Sequence, residues 1–550
     1  MTTAVDTNQA PESAGPATQH VDVLIVGSGF AGLGAAIKLT QAGHQDFVVI
    51  ERGSEVGGTW RDNTYPGAAC DVPSHLYSYS FDLNPEWTRS FSQQTEIQSY
   101  LRRVARKHFV LDRHVFDCEM KSARWNPATA RWDVTTSRGN YTARTVISAV
   151  GALCEPALPD IAGIETFAGQ VFHSAQWNHD ADLTGRRVAL IGTGASAIQI
   201  VPAVAAQVGH KDVYQRTAPW ILPRMDRKYS SVERFAFKHV PGFQRLSRAL
   251  IYATRETQLV GLAKLPALMK PLQKAAEKHI AHQISDRALR RKVTPNWRIG
   301  CKRMLLSNGW YPALQRDNVE LVTDGIAEVR PHAVVTKDGT VREVDAIIVA
   351  TGFHVTDSPT NDTIIGADGR TLTETFCEHG MQGYKGAAVA GFPNMFFLVG
   401  PNTGLGHTSM VYMIESQIAY IMDAIATIER EDLATVEVRR EVQDAYNTKL
   451  QNQLKPTVWM TGGCASWYLD AHGNNTTLWP GFTFVFRKLT KHFDADAYRT
   501  TTRAEHPTAQ EMNTDRQEAT ASSAGLDQML VRDGGQRGAA MTECLAGRAR

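Results

Sequence analysis

An α/β fold is what this sequence predicts, and three observations predict it. Two strand–glycine turn–helix units echo one another at about residues 21–52 and 187–217. A third apolar strand with its own glycine turn follows at 345–353, and a long helical, basic stretch occupies 231–292. Two echoed units with no short-period repeat point to two similar halves, each built on a parallel sheet.

In the first unit Val23-Leu24-Ile25-Val26 reads as a buried strand, followed directly by Gly27-Ser28-Gly29-Phe30-Ala31-Gly32 and a helix ending near Gly43. Phe47-Val48-Val49-Ile50 forms the next strand and ends in Glu51. Each part has a physical task. Gly27 permits the tight turn, Gly29 lets a pyrophosphate approach the backbone, and Gly32 lets helix and strand pack closely. The diphosphate would rest on the free N–H groups at the helix N-terminus. Glu51, about twenty residues on, would accept from ribose hydroxyls. A glycine pattern alone is weak, but strand, spacing and acid agree here, so the unit reads as a Rossmann-like dinucleotide site.

The second unit runs Arg187-Val188-Ala189-Leu190-Ile191 into Gly192-Thr193-Gly194-Ala195-Ser196-Ala197. Ala197 replaces the last glycine, a change that still allows close helix packing. The strand Val213-Tyr214-Gln215 then ends in Arg216-Thr217, with no acid. A carboxylate there would hold a ribose diol, whereas a guanidinium pairs with a 2′-phosphate in a forked geometry. This site therefore reads as selective for NADPH. Asp345-Ala346-Ile347-Ile348-Val349 leads into the turn at Gly352, and Met395-Phe396-Phe397-Leu398-Val399 into Gly400-Pro401-Asn402.

The expected organisation has polar tails at 1–20 and 503–550, too poor in apolar residues to offset ordering entropy. Between them the two dinucleotide units are expected to head two domains, the first discontinuous (21–152 and 355–502) and the second, NADP-binding (153–354), containing a helical insertion at 224–296. Within the insertion, Phe243, Leu246 and Leu250 recur at helical spacing. Such a stripe on a basic helix either meets a membrane or packs on its own protein, and packing is the expectation.

The net charge of +2 over 550 residues gives no reason to expect nucleic acid or an acidic membrane as partner. No run approaches ~18 consecutive apolar residues, so no membrane-spanning helix is expected. The N-terminus lacks a basic start and apolar core, so it does not read as a secretory signal. Seven cysteines (70, 118, 154, 301, 377, 464 and 544) show no CxxC pair, which reads as reduced thiols in a cytoplasm, with neither a disulfide framework nor a metal site.

Two further stretches carry a resemblance. Phe167-Ala168-Gly169-Gln170-Val171-Phe172-His173-Ser174-Ala175-Gln176-Trp177-Asn178 fits F-x-G-x-x-x-H-x-x-x-W, and 57–71 fits G-G-x-W-x-x-x-x-Y-P-G-x-x-x-D at every specified position. On these the chain resembles the Baeyer–Villiger monooxygenases, class B flavoproteins, from about residue 21 to 500. Asn178 departs from the family pattern, which has Pro or Asp there. Relatives that oxygenate nitrogen or sulfur carry Tyr where Trp177 stands. His173 reads as a structural element of the linker.

The resemblance implies that the first site takes FAD and that one atom of O2 is inserted next to a ketone carbonyl through a flavin peroxide, giving an ester or lactone. It places Gly58, Thr59, Trp60 and Asp71 at the flavin, with Phe30, Tyr77, Met120 and Met410 among the cofactor-binding residues. Arg303, in Gly300-Cys301-Lys302-Arg303, would stabilise developing negative charge, paired with Asp71. The permanent charge of an arginine suits that task. Lys302 would join Arg216 and Thr217 at the 2′-phosphate, and Trp467 would cover the nicotinamide from a loop. Asp71 and Arg303 are the catalytic candidates; no metal is expected. The expected partners are a small ketone and O2, with the chain a monomer or weak homo-oligomer. The competing activity is N- or S-oxygenation. A flavin disulfide reductase is set aside because Cys70 has no neighbouring cysteine.

Overall fold

The computed structural model describes residues 18–470 and 472–505. Its first sheet is mixed. The strand Gln19–Val26 pairs in parallel with Phe47–Ile50 on one side and with Gly139–Ser148 on the other. The strands Met120–Asn126 and Arg131–Thr136 then continue the sheet antiparallel. Met395–Phe397 returns from far along the chain to pair in parallel with 146–148. The second sheet is wholly parallel, in the order 319–322, 210–214, 187–191, 346–349, 170–173. Its central strands, Arg187–Ile191 and Ala346–Val349, are buried on both faces, which is why they read as nearly unbroken apolar runs.

The first strand begins at Gln19, whose partner is Tyr141, so the expected tail gives up its last two residues to the sheet. At the other end Arg503 N donates to Asp432 O and Glu505 caps Thr502, so 503–505 also pack. The remaining tail residues, 1–17 and 506–550, lie outside the described residues.

The stretch at 231–292 forms four α-helices, Ser231–His239, Phe243–Leu259, Met269–Gln283 and Arg287–Val293, with a break at Pro241-Gly242 and a π turn and a 3-10 turn between 260 and 268. The helix Phe243–Leu259 is turned opposite to expectation. Phe243, Leu246 and Leu250 are 40%, 58% and 62% exposed. The packed face mixes polar and apolar groups: Gln244 donates to Asn84 O, Arg248 to His75 O and Leu76 O, Glu256 and Leu259 are buried, and Ile251 and Tyr252 pack on the core. Uncapped carbonyls on the neighbouring loop (residues 75–84) take these donors, and that demand outweighed the apolar period. Among the described residues no helix is long and apolar enough to cross a membrane.

Candidate functional site

The two glycine turns face one cleft of about 1420 Å³, larger than the ~300–1000 Å³ usual for one small ligand and suited to two. At the first turn a Cβ on Gly32 would lie 1.8 Å from Gly27 O, so only glycine lets the helix Phe30–Gln41 sit this close to the strand. Gly192, at φ +115°, occupies the equivalent turn of the second sheet, and a Cβ there would meet Ala350 O at 2.4 Å.

Glu51 is buried at the end of its strand. Its Oε2 accepts from Ser28 N (2.8 Å), and its Oε1 from Gly53 N (2.8 Å) and Arg61 Nη1 (2.7 Å). The carboxylate thus pins the turn while facing the cleft. Ser28 Oγ is buried there with no partner among the described residues, an orphan that a ligand's polar atom would satisfy.

Further along the same wall, Gly58 caps the short helix Thr59–Asp62 at φ 52°. Trp60 Nε1 donates to Tyr77 Oη (3.1 Å), and Tyr77 meets the Phe30 ring edge-on at 5.1 Å. These form an aromatic bed, with Met120 and Met410 also on the cleft wall. Burial raises the Tyr77 hydroxyl pKa far above its usual range, so it stays a neutral donor.

Asp71 and Arg303, 232 residues apart, meet on the wall of the cleft. Arg303 Nε donates to Asp71 Oδ2 (2.7 Å) and Nη2 to Oδ1 (2.8 Å), a bidentate pair, while Nη1 donates to Leu405 O (3.2 Å). Burial pushes the Asp71 carboxyl up, but Arg303 more than offsets it and holds it below the usual carboxylate range. Asp71 in turn raises the Arg303 guanidinium against opposing burial. Both groups are therefore charged at any working pH.

The second site is cationic. Arg216 and Thr217 are exposed at the cleft, and Thr193 Oγ1 donates to Thr217 O (3.2 Å). Burial lowers the Lys302 ammonium, and the nearby Arg216 charge lowers it further. Two cations held close enough to repel, neither with a carboxylate partner among the described residues, fit a phosphate. Gly194, Ala195 and Ser196 line the same wall. Gly32 and Ala197 do not reach the cleft; they pack helix against strand behind it.

Trp467 is 51% exposed and stands at the cleft rim, edge-on to the buried Tyr468 at 4.6 Å. His173 is buried at the end of its strand, where Nδ1 accepts from Ala175 N (3.1 Å), a structural cap. Asn178 Oδ1 accepts from Asp180 N (3.0 Å), a turn that an aspartate makes equally well. The departure from the family pattern is thereby accommodated.

One expectation is overturned. Cys301 and Cys464, 163 residues apart, form a disulfide. Spacing could not reveal it, because the bond follows from a tertiary contact: Arg298 N donates to Gly462 O at 2.9 Å, laying one segment on the other. Neither residue lines the cleft. Cys70, Cys118 and Cys154 are free thiols. Sequence reasoning gave no role to Leu405, whose carbonyl braces Arg303, or to Tyr468, which lines the cleft beside Trp467; neither contact follows from local spacing.

Two sheets that share one cleft between paired glycine turns define a two-dinucleotide oxidoreductase. A family profile described as pyridine nucleotide-disulphide oxidoreductase matches residues 24–235. A Baeyer-Villiger monooxygenase of Pseudomonas aeruginosa is 49% identical over 501 residues, covering 91% of this chain and 94% of that protein. One of Streptomyces coelicolor is 50% identical over 483 residues, covering 88% and 93%. Among solved structures, cyclohexanone monooxygenase from Rhodococcus sp. Phi1 bound to NADP+ superposes with a TM-score of 0.80 at 27% identity, covering 88% of this chain and all of that one. The chain belongs to the Baeyer–Villiger monooxygenase family.

Proposed function

We propose that this chain is an FAD- and NADPH-dependent monooxygenase converting a ketone, O2, NADPH and a proton into an ester or lactone, NADP+ and water. The observation that carries this reading is the bidentate Arg303–Asp71 pair, set where the two dinucleotide turns open into one cleft. FAD belongs on the turn of Gly27, Gly29 and Phe30, with Glu51, Gly58, Thr59, Trp60, Asp71, Tyr77, Met120 and Met410 around it. NADPH belongs on Gly192–Ser196, with Arg216, Thr217 and Lys302 at its 2′-phosphate and Trp467 over the nicotinamide. The FAD domain is built on the first sheet and the NADP domain on the second.

When bound, the flavin supplies oxygen activation with electrons from NADPH. The chain's own groups do the rest. Arg303 has five N–H donors, of which three are used on Asp71 and Leu405, leaving two for the negative charge that develops on the substrate oxygen. Because the guanidinium cannot lose a proton, it remains an electrostatic partner and never an acid. Asp71 fixes its orientation. Trp60, Tyr77 and Trp467 present aromatic surface to the cleft and help exclude water, which lets charge stabilisation act at low dielectric.

The test is NADPH oxidation by the purified yellow protein with a panel of ketones, products extracted and analysed by gas chromatography–mass spectrometry, with Arg303→Ala as control. A product heavier than its ketone by one oxygen, lost in the variant, supports the reading. NADPH oxidation that yields only hydrogen peroxide, or oxygenated amines and sulfides with no ester, rejects it.

A further inference from the structure

A second cavity of about 400 Å³ lies against the first, and Asp71, Val72, Arg303 and Leu306 border both. Beyond that shared boundary its wall is largely apolar, with Leu222, Leu262 and Met304 among the lining. The helix Phe243–Leu259 contributes one charged group, Arg255. Its neighbour Glu256 does not serve it: that carboxylate accepts from Thr483 N (3.0 Å), Thr483 Oγ1 (2.8 Å) and His407 Nε2 (3.2 Å). Asp71 acts on it only through space: its hydrogen-bonded ion pair is with Arg303. Among the described residues nothing accepts a hydrogen bond from the Arg255 guanidinium. Burial lowers its pKa, with Asp71 opposing, yet a guanidinium remains charged throughout the working range. A half-buried guanidinium with no hydrogen-bonded counter-ion among the described residues, facing a largely apolar cavity, has lost hydration without gaining a direct partner, and an anionic ligand group would supply one.

We infer that this second cavity receives the substrate and that Arg255 pairs there with a carboxylate, so the preferred substrate is a keto acid. Its ketone lies at the Arg303–Asp71 boundary, its apolar chain crosses the cavity, and its carboxylate reaches Arg255. The inference rests on the ketone-oxygenation reading for its chemistry, and on the cavity alone for its binding.

The experiment compares 10-oxoundecanoate, its methyl ester and 2-undecanone as probes of the holoenzyme. Binding is followed by calorimetry in the presence of NADP+, and ester formation by mass spectrometry. The wild-type chain should favour the carboxylate over both neutral probes by about tenfold or more in Kd and kcat/KM, the value of one charge-assisted pair. Arg255→Met should bring the ratio of carboxylate to neutral probe close to one, and Arg255→Lys should restore part of it. Ratios are read within each variant, so a general loss of activity does not imitate the result. Neutral ketones converted with no preference for the carboxylate, or a preference that survives in Arg255→Met, would overturn the inference while leaving the reaction intact. Arg255-dependent binding of the carboxylate without any ester would keep the inference and sink the ketone reaction instead.

Discussion

If Asp71 acts only by holding Arg303, the two residues should fail a test of independence. Breaking a fully buried ion pair by removing one partner costs ~3–5 kcal/mol, and an exposed pair is worth ~0–1 kcal/mol. The Arg303 and Asp71 side chains are 33% and 29% exposed, between those limits, so about 2 kcal/mol of orientation is at stake. Asp71→Asn should therefore lower kcat/KM roughly 30-fold. Arg303→Ala should cost ~100- to 1000-fold, as for other donors aimed at developing charge. In the double variant the losses should not multiply: activity should match Arg303→Ala alone, a coupling of about 2 kcal/mol. The assay is ester formation at saturating NADPH, with flavin content matched by absorbance. A double variant whose loss is the product of the single losses would refute the positioning role and give Asp71 a task of its own.

Other outcomes follow from the same structure. Arg216→Ala should raise KM for NADPH by about 10- to 100-fold and narrow the preference over NADH, because a charge-assisted phosphate contact is lost; an unchanged NADPH/NADH ratio would place the 2′-phosphate elsewhere. Lys211 is fully buried, with Val201 O as its hydrogen-bond partner, and burial pushes its ammonium down to about 7. Between that value and the unfolded value near 10.4 the unfolded chain binds the extra proton, so stability rises with pH across that window. Lys211→Met should thus stabilise the protein by up to roughly 5 kcal/mol at and below pH 7, with the gain vanishing near pH 10; a pH-independent Tm difference would contradict this. A reductant should lower Tm by opening the Cys301–Cys464 loop of 163 residues, worth roughly 5 kcal/mol at most in chain entropy, and Cys464→Ser should remove the share of that sensitivity that this bond contributes.

The parts of this protein written in local sequence were legible. The two glycine turns, Glu51 at one strand end and Arg216 at the other each depend on neighbours within about thirty residues, and the structure places all of them on one cleft. The meeting of Asp71 with Arg303 was reachable only through the family resemblance, since nothing local to either residue names the other. The disulfide was unreadable because its partners are brought together by the packing of 298–301 on 462–464. The insertion was misread for a different reason. Apolar spacing at 243, 246 and 250 suggested the packed face, but the adjoining loop presents carbonyls, and Gln244 and Arg248 turned inward to satisfy them. The same rotation carries Arg255 to the second cavity.

The central claim is most directly tested by running the reaction under ¹⁸O2 with a simple ketone and reading the product by mass spectrometry. The account predicts an ester or lactone carrying a single ¹⁸O at the newly inserted position, the carbonyl oxygen unlabelled, and no such product from Arg303→Ala. NADPH consumed with all the label in hydrogen peroxide, or label appearing only in oxygenated amines or sulfides, would contradict it.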